Sequence, residues 1–218
     1  MSEQMVSRQA EVESVLRLAP VIAVVVLQRV EDAVPLARAL VAGGIPAVEI
    51  TLRTPVALEA IRAVAGEVEG AAVGAGTVLN ARDFHAAAKA GARFAVSPGH
   101  SPALLEAAED SELPYLPGAS TASEAMTLAE RGYRWQKFFP AVPAGGVDFV
   151  RALASPLPGI GFCATGGISA QTAKQWLALP NVVAVGGSWL TPNDLVAAGN
   201  WTAIAALARE AAGFVASR

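Results

Sequence analysis

Short apolar runs alternate with longer amphipathic segments along most of the chain. The apolar runs are rich in β-branched or other apolar residues, a composition typical of strands buried on both faces of a parallel sheet. Gly, Pro or polar residues bound many of them. Eight such runs predict eight strands: 21–27, 47–52, 72–75, 94–97, 115–117, 135–139, 161–164 and 182–185.

The segments between these strands are rich in Ala and repeat apolar residues at helical spacing. They include 31–44, 54–68, 81–91, 101–111, 121–132 and 169–179. Many begin with a residue that caps helices or favours their first turn, and several end at Gly or Asn. The capping or early-turn residues are Thr54, Ser101, Thr121 and Ser169. The polar segment 1–20 also has helical spacing, which predicts an extra helix before the first strand.

Strands that alternate with helices predict right-handed crossovers and a parallel sheet. Eight units in 218 residues fit a compact (β/α)₈ TIM barrel of the α/β class. A doubly wound sheet is the alternative, but it needs fewer strands. No seam rich in Pro, Ser or charge divides the chain, so we expect one barrel domain over residues 1–218.

Composition narrows the class of protein. Apolar residues make up 53% and charged residues 16%, which favours a large core over disorder. A net charge of -3 gives no general attraction for nucleic acid. Cys163 is the only cysteine, and no segment resembles a signal peptide or a membrane span. We therefore expect a cytoplasmic protein without membrane or nucleic-acid partners.

Lys137 lies among aromatic residues in the predicted sixth strand, where an ammonium group is hard to hydrate. One interpretation is a lysine whose charged end reaches solvent past its apolar neighbours. The other is a Schiff-base lysine, which must be neutral to attack a ketone. Since a lysine in water has a pKa of about 10.4, burial is needed to favour the neutral amine.

Glu49, Arg53 and Thr77 lie at the carboxyl ends of strands two and three, where barrels place their active sites. Glu49 is either a proton shuttle for imine chemistry or a structural ion-pair partner of Arg53. Arg53 has the planar guanidinium that holds carboxylates through two hydrogen bonds. Thr77 could add a hydroxyl contact to the same carboxylate.

Two glycine pairs indicate an anion site. Gly166 and Gly167 precede a predicted helix, and Gly186, Gly187 and Ser188 follow strand eight. Glycine lets backbone N–H groups approach a ligand closely, and barrels often hold phosphate in the loops after strands seven and eight. Each pair alone is more typical of a turn, but together they favour phosphate.

These segments carry a family resemblance. In order and spacing the chain resembles the class I aldolases of 2-keto-3-deoxy-6-phosphogluconate (KDPG) and 4-hydroxy-2-oxoglutarate (KHG), from about residue 19 to the final helix. The motifs are VEITLRTP, GAGTVLN, FAVSPG, YLPGAST, QKFFPA, TGGIS and GGSWL. The resemblance implies a homotrimer without metal or cofactor that cleaves the phosphorylated sugar acid KDPG to pyruvate and glyceraldehyde 3-phosphate in the Entner-Doudoroff pathway.

The resemblance also implies residue roles. Lys137 would form the Schiff base and Glu49 would be the acid/base residue. The implied substrate contacts are Arg53 and Thr77 at the carboxylate, Pro98 and Phe139 in the pyruvyl pocket, Thr165 at the hydroxyl groups, and Gly166, Gly167, Gly187 and Ser188 at the phosphate. Gln136, Val142 and Ala164 depart from the family pattern, which leaves the loop after strand six and the substrate preference open.

Several alternatives stay open. The main activity could be on KHG or on 2-dehydro-3-deoxy-6-phosphogalactonate, and oxaloacetate decarboxylation is a possible side reaction. A phosphate-binding isomerase or synthase barrel leaves Lys137 unexplained, and a non-catalytic barrel leaves the whole polar set unexplained. His85 and His100 lack a third metal ligand in a recognisable spacing. We expect His85 on a helix surface and Cys163 in the core.

Overall fold

The computed structural model describes residues 3–215, in which nine strands pair in parallel. Eight of them overlap the predicted runs, although several are shorter, and the remaining one, Gly118–Ala119, lies outside these runs. The strands are β1 (Val21–Val25), β2 (Ala47–Thr51), β3 (Ala72–Gly76), β4 (Ala95–Val96), β5 (Tyr115–Leu116), β6 (Gly118–Ala119), β7 (Trp135–Phe138), β8 (Gly161–Thr165) and β9 (Val182–Gly187).

Helices connect these strands and surround the sheet. They are α1 (Glu3–Leu16), α2 (Ala33–Ala42), α3 (Ala57–Glu67), α4 (Ala81–Lys89), α5 (Pro102–Glu109), α6 (Ala122–Glu130), α7 (Gly146–Leu153), α8 (Ala170–Leu177), α9 (Asn193–Ala197) and α10 (Trp201–Ala212). A single 3₁₀ turn, Val30–Asp32, precedes α2. Within residues 3–215, no helix is long and apolar enough to cross a membrane.

Pro117 explains how nine short strands make an eight-membered barrel. The strand order is β5-β4-β3-β2-β1-β9-β8-β7-β6, so β5 and β6 lie at the two ends of the sheet. They are consecutive in the chain and separated only by Pro117, which has no N–H for a ladder. The prediction of one strand over 115–117 was therefore wrong in detail. Strand β5 pairs with β4, whereas β6, which was not predicted, pairs with β7, and this closes the barrel.

Helix α1 closes the amino-terminal end of the barrel, which confirms the extra helix. Its apolar side chains pack against residues that point into the barrel interior, including Ile22, Phe94 and Trp135. The side-chain oxygen of Gln9 also accepts a 3.0 Å hydrogen bond from the backbone N–H of Trp135. A second apolar cluster fills the space between the barrel and the outer helices. The lower half of the lumen is therefore packed core.

Three of the four predicted capping residues cap their helices. Ser101, Thr121 and Ser169 are the N-cap residues of α5, α6 and α8. The prediction for Thr54 was wrong, because α3 begins at Ala57 and the Thr54 hydroxyl is buried without a hydrogen-bond partner. Helix α7 was not predicted. Its N-cap residue is Gly145, with φ 116°, which has no side chain that could cap the helix.

Candidate active site

Lys137 and Glu49 meet inside the upper half of the barrel. Glu49 lies on β2 and Lys137 on β7, and strands β1, β9 and β8 lie between them in the sheet. Lys137 Nζ donates a 3.2 Å hydrogen bond to Glu49 Oε1, and both side chains are only 4% exposed. The alternative in which the Lys137 ammonium reaches solvent was therefore wrong. Glu49 pairs with Lys137, and the described ion pairs of residues 3–215 include none between Glu49 and Arg53.

The surroundings of this pair are largely apolar. Lys137 Nζ lies 5.3 Å from the centroid of the Phe139 ring, and Cys163 is its register partner on β8. Burial of charge in a medium of low dielectric constant is costly. The hydrogen bond between the two side chains offsets part of this cost, and it places a carboxyl group that can carry protons beside an amine that can attack a ketone.

Glycines on neighbouring strands make room for the polar side chains in the lumen. A Cβ at Gly76 on β3 would lie only 2.6 Å from Glu49 Cγ. A Cβ at Gly186 on β9 would lie 2.8 Å from Cγ2 of Thr165, which faces it from β8. Gly76 was not among the predicted site residues. Gly76 directly follows the strand predicted over 72–75. A glycine in a strand often marks a point where another group approaches the backbone closely.

Arg53 and Thr77 lie together at the mouth, as their assignment to one carboxylate requires. Arg53 Nε donates a 3.0 Å hydrogen bond to Thr77 Oγ1. Thr77 has φ 57°, a left-handed conformation that is rare for a β-branched residue. Such strain clusters at ligand-binding sites, where the surrounding structure holds it in place. Arg53 is exposed.

The two glycine pairs are also neighbours. Strands β8 and β9 are adjacent, and Thr165 is the register partner of Gly186. Gly166 and Gly167 follow directly with φ 108° and 79°, conformations that glycine adopts without strain. Gly187 ends β9 and the exposed Ser188 follows it. The structure thus brings the predicted anion-binding residues to one side of the mouth.

Pro98 and Phe139 follow β4 and β7 and are half-buried at the same end of the barrel. Phe139 is joined to Pro140 by a cis peptide bond. Val142, in the loop after β7, is 47% exposed, and its backbone N–H donates to Gly166 O at 3.0 Å. The apolar Val142 side chain therefore borders the glycines of the anion site.

Gln136 has a structural role that the sequence did not indicate. Its side chain points away from the lumen and is fully buried. Its Nε2 atom donates hydrogen bonds of 3.0 Å and 2.9 Å to the carbonyl oxygens of Ala125 and Tyr133. Gln136 thereby ties β7 to α6, directly behind Lys137.

Cys163 is buried, as expected, beside the Lys137–Glu49 pair. Burial raises the pKa of its thiol to about 12, an effect larger than the opposing influence of the Lys137 charge. His85 is exposed on α4, while His100 is half-buried at the mouth with Nδ1 2.9 Å from Gly118 O. Among the described residues, no three His, Cys, Asp or Glu side chains form a group that could hold a metal ion.

Comparisons with known proteins agree with this geometry. A family model described as "KDPG and KHG aldolase" matches residues 12–207. The chain is 49% identical over 199 residues to the KHG/KDPG aldolase of Escherichia coli K12, which covers 91% of this chain and 93% of the relative. It is 50% identical, with the same coverage, to the 2-dehydro-3-deoxy-phosphogluconate aldolase of Dickeya dadantii.

A solved structure is similarly close. The KDPG aldolase of Legionella pneumophila superposes with a TM-score of 0.90 at 43% identity, covering 92% of this chain and 98% of that one. That crystal structure holds pyruvate captured at low pH as a covalent carbinolamine intermediate.

Proposed function

Because the chain belongs to the KDPG and KHG aldolase family, we propose that it is a class I aldolase which reversibly cleaves 2-dehydro-3-deoxy-6-phosphogluconate to pyruvate and glyceraldehyde 3-phosphate. The observation that carries the proposal is the buried contact of 3.2 Å between Lys137 Nζ and Glu49 Oε1. It supplies a nucleophilic amine and a proton carrier at the carboxyl end of the barrel.

Imine formation is the first stage. Glu49 accepts a proton from Lys137, and the neutral amine attacks the C2 carbonyl carbon of the substrate. Glu49 returns that proton to the oxygen, which gives the carbinolamine. It then carries a second proton from the nitrogen to the hydroxyl group, which leaves as water and yields a protonated imine. Arg53 and Thr77 hold the adjacent carboxylate, so that the C2 carbon lies within reach of Nζ.

Bond cleavage follows from the electron demand of the imine. Glu49, again a carboxylate, accepts the proton of the C4 hydroxyl as the aldehyde forms, and the electrons of the C3–C4 bond move into the iminium to give an enamine. Protonation of the enamine at C3 and hydrolysis release pyruvate and restore the free Lys137 amine. Thr165 contacts the hydroxyl groups, while Pro98 and Phe139 line the pyruvyl pocket.

The phosphate occupies the glycine loops. Backbone N–H groups of Gly166, Gly167 and Gly187, with the Ser188 hydroxyl, form a site suited to a terminal phosphate. These loops favour the phosphorylated sugar acid as the main substrate.

KHG is the second candidate substrate, because the family and the Escherichia coli relative carry both substrates in their names. KHG has a carboxylate where KDPG has its phosphorylated chain, and the same anion site can accept it. The galactonate epimer requires a different contact at C4. If the protein were an isomerase, a synthase or a non-catalytic barrel, the buried Lys137–Glu49 pair would have no chemical role.

We also propose a single-domain, cytoplasmic homotrimer that acts in the Entner-Doudoroff pathway. The support for these finer statements is the family resemblance of the motifs around Lys137.

The decisive test is to trap the imine. The protein is incubated with pyruvate and borohydride, and the reduced adduct is mapped by mass spectrometry. We expect a single adduct, at Lys137, that is lost in Lys137→Arg and kept in Lys89→Arg, a matched change of an exposed helical lysine. An adduct elsewhere, or none, would overturn the proposal.

A further inference from the structure

The backbone ladder between β4 and the fifth strand ends just below the active site. The register pairs of β4 are Tyr115 and Leu116, and a long bond of 3.4 Å from Ser97 N–H to Leu116 O follows them. Pro117 has no N–H, and the chain then pairs with β7 as β6. At the level of Lys137, the barrel wall between β4 and β6 therefore depends on side chains.

Two side chains from the segment after β4 hold Gly118. The Ser97 hydroxyl accepts a 3.4 Å hydrogen bond from Gly118 N–H. His100 Nδ1 lies 2.9 Å from Gly118 O. Because a carbonyl oxygen only accepts, Nδ1 must carry the proton. The N–H and the C=O of one glycine are thus both bound by side chains of the neighbouring strand's loop.

Ser97 is itself fixed in orientation. Its hydroxyl donates to Gly99 O and lies 2.6 Å from the Tyr115 hydroxyl, which must therefore be the donor in that contact. Burial raises the pKa of Tyr115 well above its ordinary value, so it keeps its proton. The chain of donors leaves the Ser97 oxygen as an acceptor that faces Gly118.

Glycine is required at this point of contact. A Cβ at position 118 would lie 2.5 Å from Gly99 N and still closer to the Pro98 carbonyl group. The segments 97–100 and 118–119 are therefore in closer contact than side-chain packing would allow. Pro98, which borders the proposed pyruvyl pocket, lies within this contact.

We propose that Ser97 and His100 are positioning residues that fix Gly118 and, through it, the height of Lys137 in the barrel. Gly118 is the register partner of Lys137, and the backbone N–H of Lys137 donates a 2.8 Å hydrogen bond to Pro117 O. A shift of this peptide moves Nζ relative to Glu49 and the ketone. The inference rests on the proposed function, in which Lys137 forms the imine.

Substitutions of His100 test the bond through Nδ1. At saturating pyruvate, the rate of borohydride-trapped adduct formation should fall about tenfold in His100→Leu and in His100→Gln, because displacements well under 1 Å already slow such reactions. The amide of asparagine can take the place of Nδ1, so His100→Asn should recover to within about threefold of the wild type. His85→Leu, a change of the other histidine on an exposed helix face, is the matched control.

Ser97→Ala supplies an independent measurement and should slow adduct formation about tenfold with little change in KM for pyruvate. Ser123→Ala is its control, since Ser123 is exposed and the hydrogen bond that it accepts from the Thr127 hydroxyl involves its backbone carbonyl group. Should His100→Leu fail to fold, the contrast between His100→Asn and His100→Gln and the result for Ser97→Ala decide the question.

The outcomes separate this inference from the proposed function. Absence of an adduct in the wild type would reject the imine mechanism. If the wild type forms a normal adduct and His100→Leu and Ser97→Ala form it at the wild-type rate, the positioning role alone is rejected. Equal slowing in His100→Asn and His100→Gln would also reject it, because the effect would then not depend on the Nδ1 donor.

Discussion

Lys137 and Glu49 are 88 positions apart in the chain, yet their side chains meet at 3.2 Å from opposite walls of the barrel. Both side chains are buried in apolar surroundings, and each is the hydrogen-bond and charge partner of the other. The pair therefore joins the proposed catalytic chemistry to the stability of the barrel.

Removal of one partner should be costly for stability. Lys137→Met leaves a buried carboxylate without its cation, and we expect the free energy of unfolding to fall by about 3 kcal/mol. Adding Glu49→Leu should recover most of this loss, because the pair is then replaced by apolar groups. Urea denaturation measures both. Lys89→Met, on the exposed face of α4, should change stability by less than about 0.5 kcal/mol. Equal losses in the single and double variants would contradict the coupling.

Thr77 should show opposed effects on stability and activity. Thr77→Gly removes the strain of φ 57°, so its free energy of unfolding should stay equal or rise by up to about 1 kcal/mol. The same variant loses the hydroxyl that contacts Arg53, and KM for pyruvate should rise about tenfold. Thr77→Val should raise KM alike without the gain in stability. A large stability loss in Thr77→Gly would show that the conformation is not strained.

Gly167 should determine preference for phosphate. A Cβ there would lie 2.9 Å from Val142 Cβ, and φ is 79°. Gly167→Ala should displace the backbone N–H groups and lower the ratio of kcat/KM for phosphorylated over unphosphorylated substrate about tenfold. Gly66→Ala is the control, since Gly66 lies in the exposed part of α3 and, in the part of the chain that the structure describes, its added Cβ meets no atom within 4 Å beyond its chain neighbours and the backbone of its own helix. An unchanged ratio in Gly167→Ala would place the phosphate elsewhere.

Cys163 should make stability fall at high pH. Burial raises the pKa of its thiol from 9.0 to about 12, so the unfolded chain releases this proton at lower pH than the folded one. The contribution is fully present below about pH 9 and is lost as pH rises toward 12. Urea midpoints of the wild type should therefore fall more steeply than those of Cys163→Ala between pH 9 and pH 11.

The same thiol should react slowly with iodoacetamide at pH 8 in the folded protein and rapidly in urea. Equal rates in the two states would show that Cys163 is accessible and that its pKa is not raised.

Much of the fold could be predicted because buried strands have a distinctive local composition, rich in apolar and β-branched residues. The eight apolar runs and the residues at their carboxyl ends identified the barrel and placed Lys137, Glu49, Arg53 and Thr77 near one mouth. The break at Pro117 was not predicted, since it depends on which neighbouring strand β5 and β6 each pair with. Helix α7 was not predicted because no capping side chain precedes it in the sequence.

Contacts between distant segments could not be read from the sequence. Gln136 binds carbonyl oxygens of Ala125 and Tyr133, and His100 binds that of Gly118. A backbone carbonyl is present at every position, so no residue type marks these partners. Only the packing of α6 against β7, and of the β4 loop against β6, selects them.

Helix α1 covers the amino-terminal end of the barrel, so reactants have the carboxyl end as their route in and out. Lys137 is 3% exposed at depth, whereas Gly167 and Ser188 are exposed at the rim. The aldehyde fragment, formed on the outer side, must therefore depart before the fragment that is covalently attached below it. We therefore expect an ordered kinetic scheme with pyruvate as the last product to leave, in which pyruvate inhibits competitively against the sugar acid.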